Sequence, residues 1–192
     1  MLLLLFGNCG GCGDGCASVD DGVVDHENAP FSLADARVLF TPHGDNDATH
    51  ALGVVVVTTG GLSCDELSTA MSESALYAAL ESDESALVFT LQQWADDPDS
   101  SPLNGFNGLW MGYGYAEGSE RNLYAEFIHD RTAHALSQPY EPDGNTWLDI
   151  ETSSNTGLTG SFATEFWSGR FTAIRCDSFS FGNGDTGWDS GF

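Results

Sequence analysis

Two short stretches concentrate side chains suited to hold a cation or move a proton. His43-Gly44-Asp45-Asn46-Asp47-Ala48-Thr49-His50 places two imidazoles and two carboxylates within eight residues. Asp45, Asp47 and Thr49 alternate, the spacing by which a loop offers oxygens to Ca²⁺. A calcium loop would also carry Gly at its sixth position and Glu at its twelfth, and this one has neither. Its histidines suit Zn²⁺ better, and the same composition fits a polar hairpin loop between two strands. Asn183, Asp185 and Asp189 repeat the pattern more weakly. His129 and His134 flank Asp130 and Arg131 but stand five apart. A zincin helix needs two histidines four apart with a Glu between them, so both read as surface or loop histidines. There is no Gly-x-Ser-x-Gly elbow, the turn that presents a serine nucleophile. The carboxylate pairs Asp20-Asp21 and Asp96-Asp97 are sequence neighbours in turn-like stretches. A glycosidase needs two carboxylates facing each other across a cleft. No catalytic residue is assigned.

Aromatic side chains offer a different chemistry. In Leu109-Trp110-Met111-Gly112-Tyr113-Gly114-Tyr115, the two tyrosines share one face of a strand and Trp110 takes the other. Exposed rows of this kind stack on sugar rings, which makes Trp110, Tyr113 and Tyr115 a candidate carbohydrate-binding set. Aromatic residues in strands also serve as core, with their polar tips hydrogen-bonded.

The charge balance narrows the partners. Asp and Glu number 29 against 5 Lys plus Arg, and the net charge is −24. All five cations are arginines. Such a surface repels nucleic-acid phosphates and anionic lipid head groups. It favours solubility, multivalent cations and basic partners. An acidic, lysine-free composition is also the pattern of salt-adapted proteins, in which salt screens the self-repulsion. The 192 residues suit a single domain with a true core, and 12 Phe, 5 Trp and 5 Tyr argue against disorder.

The N-terminal run Met1-Leu2-Leu3-Leu4-Leu5-Phe6-Gly7-Asn8-Cys9 resembles a bacterial lipoprotein signal, in which a leucine-rich segment ends at a cysteine that is lipidated after export. The run is shorter than a full leader and no basic residue precedes it, which points to a leader beginning upstream. The resemblance implies lipid attachment at Cys9. Asn8 departs from the small residue usual before that cysteine, and Cys12, after Gly10 and Gly11, is the alternative. Gly10 to Asn28 then reads as a flexible tether. Lipidation at Cys9 leaves four cysteines: Cys12 and Cys16 for a local bond, Cys64 and Cys176 for a bond closing a long loop. Buried thiols fit the second pair as well. Read instead as a metal cluster, Cys9-x-x-Cys12-x-x-x-Cys16 lacks a nearby fourth ligand.

Strands are expected at 32–40, 51–58, 86–94, 108–116, 123–130, 146–152, 157–167 and 169–176: short runs rich in Val, Phe, Tyr, Trp and Thr, bounded by turn residues. Val54 to Val57 is unbroken apolar sequence and predicts a strand buried on both faces. Leu158, Gly160 and Phe162 alternate as a half-buried strand should. Ser63 and Glu66 have capping-box spacing. Leu67, Ala70, Met71, Ser74, Tyr77 and Ala78 follow at helical spacing to about Leu80. Ser168-Gly169 predicts a tight hairpin. The expected fold is mainly β, an antiparallel β-sandwich or barrel with one α-helix. It comprises a signal and tether at 1–30, a domain at 31–181 and an acidic tail at 182–192.

The stretch Leu158 to Ala163, then Gly169-Arg170-Phe171-Thr172-Ala173 and Cys176, is similar to the ending of predicted bacterial lipoproteins of unknown function. The opening Phe31 to Ala36 and the mid-chain Cys64 fit the same pattern. The resemblance implies an exported β-rich domain with a Cys64–Cys176 bond, and it brings no activity. The expectation for function is a lipid-anchored interaction or structural domain at the cell envelope, with a glycan or protein partner. A carbohydrate-binding module and an exported hydrolase are the alternatives. No cofactor is expected beyond a weak Ca²⁺ candidate at Asp45 and Asp47.

Overall fold

A strand that contains four consecutive valines has no polar face to turn to water along that run, and the fold supplies a core on each side of it. The structure is a computed structural model that describes residues 18–19, 23–44, 50–69, 73–81, 83–94, 106–111, 121–136 and 145–176. The strands are β1 (Ser18–Val19), β2 (Val24–Asp25), β3 (Arg37–Gly44), β4 (His50–Thr58), β5 (Ala86–Trp94), β6 (Gly108–Met111), β7 (Arg121–His129), β8 (Thr132–Ala135), β9 (Trp147–Ser153), β10 (Gly157–Ala163) and β11 (Trp167–Arg175). Helices α1 (Cys64–Thr69) and α2 (Glu73–Ala79) lie between β4 and β5 in the chain. The strands form one sheet in the order β6-β9-β10-β11-β3-β4-β5-β7-β8. The sheet curls into a half-barrel.

The expected β-rich class is what the chain adopts, with three differences of detail. The sheet is mixed, because β11 runs parallel to β3 and pairs Ile174 with Leu39 and Arg175 with Phe40. Two short helices replace the single one expected. Leu67 and Leu76 are both buried against the sheet, yet they are nine residues apart. At 3.6 residues per turn that spacing puts them on opposite faces of one straight helix. The third difference is at the domain's start. β1 and β2 pair with β11, through Ser18↔Thr172 and Trp167↔Asp25, so the sheet takes in part of what reads as tether.

Alternation along the strands sorts side chains between the two cores. Inside the curl lie Val38 and Phe40, Val55 and Val57, Leu87, Phe89 and Leu91, with Leu123, Ala125 and Phe127. Trp110, Leu148, Ile150, Leu158, Phe162, Trp167 and Phe171 complete that interior from the other half of the sheet. On the outer face, Leu39, Val54, Val56, Ala86, Val88 and Ile128 are covered by Leu62, Leu67, Leu76 and Leu80 of the helical segment. β4 thus buries both faces, as the valine run requires. The buried carboxylate of Glu126 lies on the same outer face and accepts a 3.0 Å hydrogen bond from the Tyr77 hydroxyl.

The capping box forms as its spacing predicts. The backbone N–H of Glu66 donates to Ser63 Oγ at 3.3 Å, and the Glu66 carboxylate accepts from the Ser63 hydroxyl at 2.7 Å and the Ser63 N–H at 2.8 Å. These bonds, the hydroxyl's first, hold the Glu66 carboxyl below its ordinary value.

Two expected boundaries move for local reasons. Asp35 adopts a positive φ of 63°, which ends extended structure before it, and the strand begins at Arg37. The β10–β11 hairpin turns at 164–166 and not at Ser168-Gly169. Thr164 Oγ1 accepts from the N–H groups of Phe166 and Trp167 at 3.3 and 3.1 Å, a turn closed by its own side chain. Gly169 sits inside β11, where a Cβ would come within 2.7 Å of Val23 Cα.

That contact reverses the usual sign of a substitution. Replacing Gly by Ala in a strand normally stabilises it. Gly169→Ala is expected to destabilise the fold by about 1–3 kcal/mol in urea denaturation, because Val23, just before β2, must shift to make room. Ser63→Ala is expected to lower the melting temperature by about 2–4 °C at pH 7. Because the Glu66 carboxyl is lowered in the fold, its contribution is present above the unfolded carboxylate value and lost as pH falls through the folded one. The Ser63→Ala deficit should therefore shrink below about pH 4, which thermal melts across pH 3–7 would show.

Candidate functional site

Cys64 opens α1 and Cys176 directly follows β11. Their sulfurs are bonded across 112 residues, with Cα atoms 5.1 Å apart. The Cys176 N–H continues the parallel ladder by donating to Phe40 O at 2.7 Å. The bond lies at the edge of the outer core, tying the helical cover to the last strand.

Trp110 does not form a sugar platform. It is fully buried on β6, and its indole N–H donates to Phe106 O at 2.8 Å. The strand turns Leu109 and Met111 outward and Trp110 inward, against Phe106. Tyr113 and Tyr115 lie outside the described residues, as do Asp45, Asp47 and Cys9. Strands β3 and β4 pair from Arg37↔Thr58 to Gly44↔Ala51, so the segment holding Asp45 and Asp47 connects the two strands of a hairpin. Among the described residues, no three His, Cys, Asp or Glu side chains gather closely enough to hold a metal ion.

His129 and His134 are brought into company that their sequence neighbours do not suggest. They lie on the two arms of the β7–β8 hairpin, whose turn residues Asp130 and Arg131 take φ values of 50° and 58°. Positive φ at both central positions matches the twist of a two-residue hairpin. His134 stacks on Phe127 at 4.6 Å. Phe31 stacks on His129 at 5.6 Å and leans on Trp167 at 4.6 Å. The Trp167 indole N–H donates to Phe31 O at 3.0 Å, which fixes this plug in the end of the curl. Ser85 Oγ lies 2.8 Å from His129 Nδ1. Ser85 and His129 are 44 residues apart, and only the β5–β7 register, Ala86↔Ile128, makes them neighbours.

A serine hydroxyl on an imidazole is the start of a nucleophile-activating pair. Here His129 Nε2 lies 3.8 Å from Asp130 Oδ2, beyond hydrogen-bond reach. Ser85 is 4% exposed, so the hydroxyl is shut away from an incoming carbonyl. Its backbone N–H is held by Thr59 Oγ1 at 3.0 Å. In this arrangement the pair locks the β4–β5 connection to the end of β7 and presents no nucleophile.

No family model, curated protein or solved structure matches the chain. Among the described residues, no helix is long and apolar enough to cross a membrane.

The bond between Cys64 and Cys176 is the site feature with the largest calculable effect. On the chain-entropy model, a loop of this length contributes roughly 5 kcal/mol. Replacing both cysteines with alanine is expected to cost about 2–5 kcal/mol in urea denaturation. Reducing the unaltered protein with a dithiol should reproduce that loss, and the double variant should be indifferent to the reductant.

Proposed function

We propose that this chain is an exported, lipid-anchored domain of the cell envelope that works by interaction or as a structural element. The observation that carries the reading is the Cys64–Cys176 bond at the edge of the outer core. Disulfides form and persist in oxidising compartments and are rare in the reducing cytosol. The leucine-rich run before Cys9 supplies the route out and the point of lipid attachment. A net charge of −24 keeps the domain off anionic lipid and directs it toward basic partners. Among the described residues, the helices pack on one outer face of the curl, and Leu109 and Met111 stand exposed on another part of its outer surface.

The intact mass of the protein from a bacterial membrane fraction, expressed behind a full upstream leader, tests this directly. The expected species begins at Cys9 and carries a lipid adduct, and reduction opens Cys64–Cys176. A soluble species without lipid would overturn the anchor. A chain with both thiols free in the exported fraction would remove the argument from the disulfide.

A further inference from the structure

The helices cover the outer face of β3, β4, β5 and β7, and among the described residues no helix packs on the outer face of β6, β9 and β10. On that face, Leu109 is 52% exposed and Met111 is 43% exposed. Both belong to β6, at positions two apart, and so point the same way. Across the β6–β9 ladder, Met111 pairs with Trp147 and Leu109 with Asp149. One strand further on, Trp147 pairs with Ala163 and Asp149 with Ser161. Exposed Leu109 and Met111 and the half-buried Trp147 thus form one apolar corner, with the small residues Ala163 and Ser161 beside it. Contiguous exposed apolar surface on an otherwise polar domain marks an interaction site.

The chemistry around the corner selects the partner. Asp149 adjoins Leu109, and Glu165 is exposed in the turn just past Ala163. Arg170, on β11, is engaged by Glu151 through two bonds of 2.8 and 2.6 Å. Among the described residues the rim is therefore acidic, and Arg170 is paired with Glu151. A second copy of this chain would bring acid against acid. A sugar would find one half-buried indole beside two aliphatic side chains that offer no flat ring.

We propose that the outer face of β6 and β9, centred on Leu109, Met111 and Trp147, docks a basic protein segment that carries apolar side chains. The inference rests on reading the chain as an interaction domain and adds the surface and the chemistry of the partner. The apolar corner supplies the anchor, with Trp147 the residue type most often found at the energetic centre of an interface. Asp149 and Glu165 supply the complementary charge.

A labelled peptide alternating leucine with lysine, and a second of equal charge alternating serine with lysine, test the proposal by fluorescence anisotropy on the intact protein. The leucine peptide is expected to bind about tenfold more tightly than the serine peptide. Leu109→Ser with Met111→Ser leaves the charge unchanged and is expected to weaken the leucine peptide by about tenfold. Val24→Ser, at an exposed apolar residue elsewhere, should have no effect. Circular dichroism confirms that the double variant is folded, and Trp147→Ala provides an independent substitution at the same surface. Equal binding of the two peptides, or a double variant and Trp147→Ala that both bind like the unaltered protein, would reduce the binding to bulk charge and overturn the proposal. Displacement of the peptide by a neutral soluble glucan would overturn it in favour of a sugar. The intact-mass measurement decides the lipid anchor separately, so either idea can fail without the other.

Discussion

The rest of the structure depends on the need to bury both faces of β4. A half-barrel ordinarily has one core, inside the curl. Here Val55 and Val57 belong to that interior, while Val54 and Val56 face outward and need a cover. The chain supplies the cover at once, in the segment between β4 and β5. Because Leu67 and Leu76 must both point down, the segment is two short helices rather than one long one. Helices of this length are marginal alone, so the cap at Ser63 and the bond at Cys64 sit where such a cover is weakest.

The two halves of the outer surface follow from that division. The β3–β7 side is covered by the helical segment and carries a buried carboxylate joined to Tyr77 of α2. The β6–β10 side has no helix on it among the described residues and carries the apolar corner with its acidic rim. The plugged end, with Phe31 set among His129, Phe127 and Trp167, belongs to neither. It is a packing solution in which two histidines act as flat, partly polar rings.

Much of this was legible in local sequence where the physics is local. The valine run declared a doubly buried strand, Ser63 and Glu66 declared a helix start, and β5 fell on its expected residues. The break between the helices was also written there, in the phase of Leu67 against Leu76, but the smaller Ala70, Ser74 and Ala78 make a competing stripe. Gly169 looked like a turn because glycine usually punctuates strands. Its actual duty, making room for Val23, depends on a segment far away in the chain. The Ser85–His129 contact and the Leu109–Met111–Trp147 corner were not legible at all. Each exists only through strand register, and register between distant segments leaves no mark in spacing or composition. Trp110 shows the same limit: its alternation with Leu109 and Met111 was readable, but which side of the strand faced inward was not.

The parallel seam between β11 and β3 has a consequence for the order in which the molecule can be finished. Strands β3, β4, β5, β7 and β8 form one run of antiparallel neighbours, and β6, β9, β10 and β11 form another. In the hydrogen-bonded order of the sheet, the last strand joins the two runs by pairing with β3, and β1 and β2 pair beside it. Contacts of such long range are slow to form. A chain emerging from its N-terminus can build the first run and its helical cover early, but the β3 edge stays unpaired until residue 174 arrives. Cys176 lies two residues beyond that point. Pairing β11 with β3 brings Cys176 beside Cys64, so their bond fixes the joined seam covalently.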